Sequence, residues 1–383
     1  MIELGVDEFT LVLRSNRLEL KDKDWENEAE YLIWIFENKL GLKDIFGEKK
    51  QELNNLRGYN NSYKYGNHGF YFAISYHNIH SKMGICVKFS AQSLRYYIER
   101  TGLKVYEILK KCLDKRYSIR LSRIDLIADY IDEYIDLDKL YSDYTEEKVA
   151  VYQTLKKGGK NLIRKCNLCC SGYLNDSRIN TLYFGSPQSK SRLRIYDKKF
   201  EQISKKGILL RKAIECNSWI RFEAVFKDEF AHKITQYFLN IEDDLEFLNL
   251  IANIIIQKFC FYIDGTNKMV DFSYFLNDMI IEKQVILKNY KKEDNDLIND
   301  IIYHYKYSGL MSFIFKIKKI WGEDDLKRLV NFMLNLSELY EANKDCISWL
   351  DKYKNDYKSY CDFDDYIDKH SVILKYALGK KVR

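Results

Sequence analysis

The sequence predicts an α+β fold: an antiparallel sheet with helices on one face, followed by a mostly α-helical C-terminal domain. Short β-rich segments with period-2 alternation recur through the first 229 residues. The helical segments among them do not alternate regularly with strands, which argues against parallel βαβ units. After about residue 229 the apolar spacing becomes helical almost throughout. Two domains are therefore expected, 1–229 and 230–383.

In order, residues 5–14 (GVDEFTLVLR) alternate as a strand, and 23–40 carry apolar residues at helical spacing after an acidic first turn. Strand patterns follow at 57–65, 68–77 and 83–90. A helix is expected at 91–114, broken at Gly102. Further strands are expected at 119–130, 181–185, 192–198 and 219–226. The tail then offers IEDDLEFLNLIANIIIQKFCFYI, DFSYFLNDMII, DLINDIIYHYKYSGLMSFIFKIKKIW and DDLKRLVNFMLNLSELYEAN, all at helical period.

With 46% hydrophobic and 31% charged residues, 31 Tyr and 21 Phe, the 383-residue chain has material for a large core and too many aromatics for disorder. The single proline, Pro187, rules out a proline-rich linker. The N-terminus is charged too early for a signal peptide, and no apolar run is long enough to span a bilayer, so a cytoplasmic protein without membrane association is expected. Nine scattered cysteines fit reduced thiols; the Cys166, Cys169, Cys170 cluster lacks a second ligand pair for zinc and leaves metal binding there open.

Charge is unevenly distributed. Between Lys148 and Lys212 sixteen basic residues face three acidic ones, a local +13 in a chain of net charge +6, so the remainder sums to −7. Such a concentrated positive field attracts polyanions, nucleic acid above all.

Three strands carry polar residues where a core strand would not. Period-2 geometry puts Arg123, Asp125 and Asp129 on one face of 119–130, Arg221 and Glu223 on one face of 219–226, and Arg192, Arg194, Tyr196 and Lys198 on one face of 192–198. Cross-strand Arg–Asp pairing would explain any two of these. If the strands share a sheet, however, three carboxylates, several cations and a phenol share one face. Three carboxylates are an oxygen set suited to a hard divalent cation, and a phenol beside cations is what phosphodiester cleavage by tyrosine needs.

The strings Ser122-Arg-Ile-Asp-Leu-Ile-Ala-Asp129, Thr181-Leu-Tyr-Phe-Gly-Ser186, Arg192-Leu-Arg-Ile-Tyr-Asp-Lys-Lys199 with Glu201, and Trp219-Ile-Arg-Phe-Glu223 resemble, in this order, the replication initiation factors of rolling-circle plasmids and the related relaxases of conjugative elements. Gly5-Val-Asp and Cys86-Val-Lys-Phe-Ser90 are also similar, and the likeness covers about residues 1–230. It implies a nicking domain in which Tyr196 attacks the nick-site phosphate, leaving a 5′-phosphotyrosyl link and a free 3′-hydroxyl. It further implies that Asp125, Asp129 and Glu223 hold Mg²⁺ or Mn²⁺ and that Arg194 and Lys198 lie beside the phosphate. Arg192, Lys199, Lys190, Arg123 and Arg221 are the expected DNA-contacting cations.

The six histidines form no His-apolar-His pair, so any metal would rest on carboxylates. His77-Asn-Ile-His80 suits a helix better than a strand. There is no GxxxxGK[ST] loop, so unwinding would fall to a separate DNA helicase. Origin DNA, both duplex and single-stranded at the nick site, is the expected partner. Plasmid initiator, conjugative relaxase and a DNA-binding protein without cleavage all fit, and composition alone also suits an RNA binder. Homodimerisation and the role of residues 230–383 are left open.

Overall fold

Alternation of apolar and polar residues dominates the first half of the chain, and in a computed structural model it builds one large sheet. Described are residues 1–17, 24–52, 58–65, 72–154, 160–162, 169–173, 178–280, 297–306, 308–342, 344–371 and 374. They divide into two compact units, Met1–Lys288 and Asn289–Arg383.

The first unit runs β1 (Ile2–Ser15), α1 (Trp25–Leu40), α2 (Leu42–Phe46), β2 (Lys49–Gln51), β3 (Asn61–Tyr65), β4 (Phe72–Tyr76), β5 (Ile85–Phe89), α3 (Ala91–Thr101), α4 (Val105–Lys111), β6 (Tyr117–Ile131) and α5 (Leu137–Thr145). It continues with β7 (Val149–Thr154), β8 (Lys160–Leu162), β9 (Cys169–Tyr173), β10 (Arg178–Phe184), β11 (Ser191–Asp197), α6 (Lys198–Ser204), α7 (Leu210–Glu215) and β12 (Trp219–Lys227). It ends with α8 (Asp228–Asn240), α9 (Asp244–Lys258), β13 (Cys260–Ile263) and α10 (Asp271–Asp278).

Among the described residues, ten strands form one sheet in the order β2-β3-β4-β5-β1-β6-β12-β11-β10-β9, and β13-β7-β8 form a second, smaller one. Every pairing is antiparallel, as expected for an α+β fold. One face of the large sheet is apolar: Phe9, Leu11, Ile124, Leu126, Ala128, Leu193, Ile195, Phe222, Ala224 and Phe226 are all buried, in one cluster with side chains of α1, α3, α4, α8 and α9. The opposite face carries the charged residues of β1, β6, β11 and β12, because strict alternation sends every second side chain there.

Three expectations change. The compact unit extends to Lys288, beyond the expected boundary at 229, because Phe230, Ala231, Ile234 and Phe238 of α8, and Ile251, Ile254 and Ile255 of α9, complete the core under the sheet. The helical pattern of 241–263 breaks at Phe259, and Cys260–Ile263 is a strand paired with β7; its Cys-Phe-Tyr-Ile run is as β-prone as it is apolar. His77 and His80 flank a turn, with ring centroids 4.1 Å apart.

The second unit holds α11 (Leu297–Lys306), α12 (Leu310–Trp321), α13 (Glu323–Glu338), α14 (Lys344–Tyr357) and α15 (Phe363–Lys369). Its small core centres on Ile298, Tyr366 and Leu374. Among the described residues no helix is long and apolar enough to cross a membrane. Cys166 and the side chains of Cys169 and Cys170 lie outside the described residues, as does much of the lysine-rich stretch 148–165.

Candidate nicking site

Strand register decides which charges meet. In β11 and β12, Tyr196 lies opposite Arg221 and Arg194 opposite Glu223; in β12 and β6, Arg221 lies opposite Asp129 and Glu223 opposite Ile127. Tyr196, Arg194, Glu223, Arg221 and Asp129 therefore occupy contiguous positions on the polar face. Asp125 and Asp129 flank Ile127, diagonal to Glu223.

The Tyr196 hydroxyl donates to Glu223 Oε2 at 3.3 Å and receives a hydrogen bond from Lys198 Nζ at 3.4 Å. The Arg194 guanidinium lies over the Tyr196 ring, 4.4 Å from its centroid, and is ion-paired to Glu223. Tyr196 is only 5% exposed. Burial pushes its hydroxyl well above the usual phenol range, and Glu223 adds to this, while Arg221 and Arg194 pull the other way. Burial likewise raises the Glu223 carboxyl, against the pull of Arg194.

Lys198 reaches Tyr196 by a route that alternation does not predict. β11 ends at Asp197, whose carboxylate accepts from Phe200 N at 2.7 Å and caps α6, so Lys198 is the first helical residue and not the last of the strand. One turn later Glu201 comes back over it, with Lys198 Nζ to Glu201 Oε2 at 2.6 Å and Lys205 Nζ to Oε1 at 3.1 Å. Against a burial that would raise it, the two lysines hold the Glu201 carboxyl down at about 2. Glu201 stood in the quoted string without a role; its signal is the three-residue spacing from Lys198, which matters only on a helix.

The remaining carboxylates are each clasped by an arginine. Arg221, 2% exposed, makes paired bonds to Asp129 (2.6 and 2.7 Å) and a third to Asp7 at 2.5 Å. Arg123 makes paired bonds to Asp125 (2.8 and 2.6 Å) and a third to Glu8 at 2.9 Å. Asp7 and Glu8 are consecutive, yet each reaches an arginine of the polar face. The register shifts between Val6 and Glu8, a bulge that turns the extra residue Asp7 to the same side. Sequence reasoning gave neither acid a role: Asp7 stood only in the quoted Gly5-Val-Asp string, and regular alternation would not bring both to one face.

Among the described residues no three of His, Cys, Asp or Glu come together as metal ligands. The expected oxygen cage of Asp125, Asp129 and Glu223 does not fit a divalent cation as arranged, since Arg123, Arg221 and Arg194 already neutralise these groups through directional bonds. The expected DNA-contacting cations also divide. Arg192 sits over the Tyr183 ring at 4.2 Å, two positions along β11 from Arg194, and Lys190 pairs with Glu229 at 2.6 Å. Lys199 donates to the carbonyls of Cys216 (2.7 Å) and Asn217 (3.2 Å), tying α6 to the segment before β12. Arg123 and Arg221 are committed to their carboxylates.

The fold matches a solved rolling-circle replication initiator protein from Geobacillus stearothermophilus, at 19% identity and a TM-score of 0.53, over 74% of this chain and all of that one. A Bacillus subtilis (strain 168) protein, NicK, which bears the name of a DNA relaxase, is 27% identical over 240 residues, 60% of this chain and 60% of its own length. The profile of the replication initiation factor family matches residues 119–330, more than half of the sequence and the part that holds β6, β11 and β12, and the chain belongs to that family.

Proposed function

We propose that this protein cuts one DNA strand at a specific site through a covalent Tyr196 intermediate, the step that opens rolling-circle replication or conjugative transfer. The observation that carries this reading is the hydroxyl of Tyr196 held at 3.3 Å from a carboxylate with raised proton affinity and at 3.4 Å from an ammonium, under a guanidinium. In this reading the Tyr196 proton passes to Glu223 as the phenolic oxygen bonds to phosphorus. The bond from phosphorus to the 3′-oxygen breaks, that oxygen takes up a proton, and the 5′-phosphate stays on the tyrosine. Arg194 and Lys198 offset the charge that grows on the phosphate oxygens.

Magnesium or manganese, implied by the resemblance, would have to displace an arginine from its carboxylate before binding here. Origin DNA in duplex and single-stranded form is the proposed substrate, with a separate helicase to unwind it. The initiator reading and the relaxase reading share this first step; the name of the B. subtilis relative favours the second.

The test is a denaturing gel of the protein with single-stranded oligonucleotides from the DNA flanking its gene. The expected outcome is a covalent adduct absent from Tyr196→Phe, with DNA affinity retained within about threefold, since one hydroxyl removed from a broad phosphate-binding surface costs little binding. Tight binding with no adduct in the wild type, with or without Mn²⁺, would assign the chain to DNA recognition without cleavage.

A further inference from the structure

In the same sheet lies a cavity of about 270 Å³ that the nicking step leaves unused. Its position follows from a gap in strand pairing. β5 pairs with β1 only from Phe9 to Leu13, so among the described residues the edge of β1 before the Asp7 bulge has no strand partner on that side. The cavity opens along this edge, walled by apolar Ile98, Val105 and Phe247 and reaching Asp129 and Arg221 on the polar face. β1 lies three strands from β11 in the sheet, about 14 Å, and Arg221, which stands opposite Tyr196 in register and reaches Asp7 on β1, spans the distance between them.

One polar group of this cavity lacks a partner among the described residues. Arg95 makes no hydrogen bond or ion pair among the described residues, although it is more than half buried; burial and nearby Arg221 lower its proton affinity, and Asp7, Asp129 and Glu99 act on it only through longer-range attraction. Donors left unmet in a buried setting cost free energy that a ligand acceptor would recover.

We propose that this cavity receives a guanine base of the single strand a few nucleotides from the nick, a specificity pocket that rests on the nicking reading above. The volume suits one nucleobase, and apolar walls suit its faces. Guanine is the base whose N7 and O6 acceptors match a guanidinium such as that of Arg95 bidentately. Single-stranded DNA is the form in which a base is free to leave the stack and enter.

The experiment selects a randomised single-stranded DNA pool on Tyr196→Phe protein, which binds without cutting, and sequences the retained strands. One position is expected to be enriched in guanine. Arg95→Lys, which keeps the charge and loses the fork, and Ile98→Trp, which fills the cavity, should each lower that enrichment about tenfold and leave other positions as they were. The proposal fails if no guanine is enriched, if both variants keep it, or if both weaken binding equally for every sequence, which would make Arg95 a phosphate contact. Wild-type protein is tested separately for adduct on the selected strands. Lack of adduct there overturns the nicking reading without touching the base preference.

Discussion

Tyr196 sits in opposed fields. Burial and Glu223 keep its proton on, whereas Arg194, Arg221 and the Lys198 hydrogen bond favour the phenolate. An arriving phosphate that drew Arg194 off Glu223 would leave that carboxylate a stronger base at 3.3 Å from the hydroxyl. Asp125 shows the same competition in a form that can be measured. Burial raises its carboxyl to about 7, even with Arg123 pulling it down. A folded acid that holds its proton more tightly than the unfolded chain loses stability as pH rises from about 4 to about 7, and no more beyond. Asp125→Asn removes that penalty. The variant should therefore gain on the wild type across this window, by up to about 1.4 kcal/mol per pH unit. Urea unfolding at pH 5 and pH 8 reads it, and an equal difference at both values would contradict the assignment.

At the scale of elements, the junction of β11 and α6 is the device that assembles the site. A strand delivers Tyr196 and Arg194 with period two; the Asp197 cap then turns the chain so that Lys198 and Glu201 follow a helical period. Glu201 orients Lys198 through the helix and touches nothing on Tyr196. Glu201→Gln should accordingly slow adduct formation about tenfold at unchanged DNA affinity, and single-turnover kinetics with a parallel binding assay separates the two effects. An equal loss in both would make Glu201 part of the DNA surface. The bulge at Asp7 is the second device, since it lets two consecutive acids serve Arg221 and Arg123 on the same face.

For the whole molecule, charge and core make separate predictions. Arg192 lies on β11 two positions from Arg194, on the charged face, and the sequence from Lys148 to Lys212 that contains it carries +13, so DNA affinity should fall steeply with salt, by a factor of about 10³ or more between 50 and 200 mM. A flat salt response by fluorescence anisotropy would exclude phosphate contacts as the main source of affinity. The core predicts where the chain can be cut. A fragment of residues 1–288 retains α8 and α9 beneath the sheet and should unfold cooperatively. A fragment of residues 1–229 loses Phe230, Ile234, Phe238, Ile251, Ile254 and Ile255, each contributing roughly 1.5–3 kcal/mol of burial, and should not. Thermal melts of both fragments test this, and a cooperative melt of the shorter one would overturn it.

Alternation along 119–130, 192–198 and 219–226 was enough to put Asp125 with Asp129, Arg194 with Tyr196, and Arg221 with Glu223 on one face of their own strands, because side-chain direction in a strand is a local property; that the three faces coincide required the strands to share a sheet. The antiparallel fold class and the helical tail were legible for the same reason. Pairing register and bulges are not local. Which arginine holds which carboxylate, the recruitment of Asp7 and Glu8, the helical start at Lys198 and the Arg95 cavity at the unpaired edge of β1 depend on which strands lie side by side. The core boundary at Lys288 belongs with them, because apolar spacing in α8 and α9 reveals an amphipathic helix without revealing the surface it covers. Covalent geometry dictates where a side chain points, and only the packed sheet supplies what it meets there.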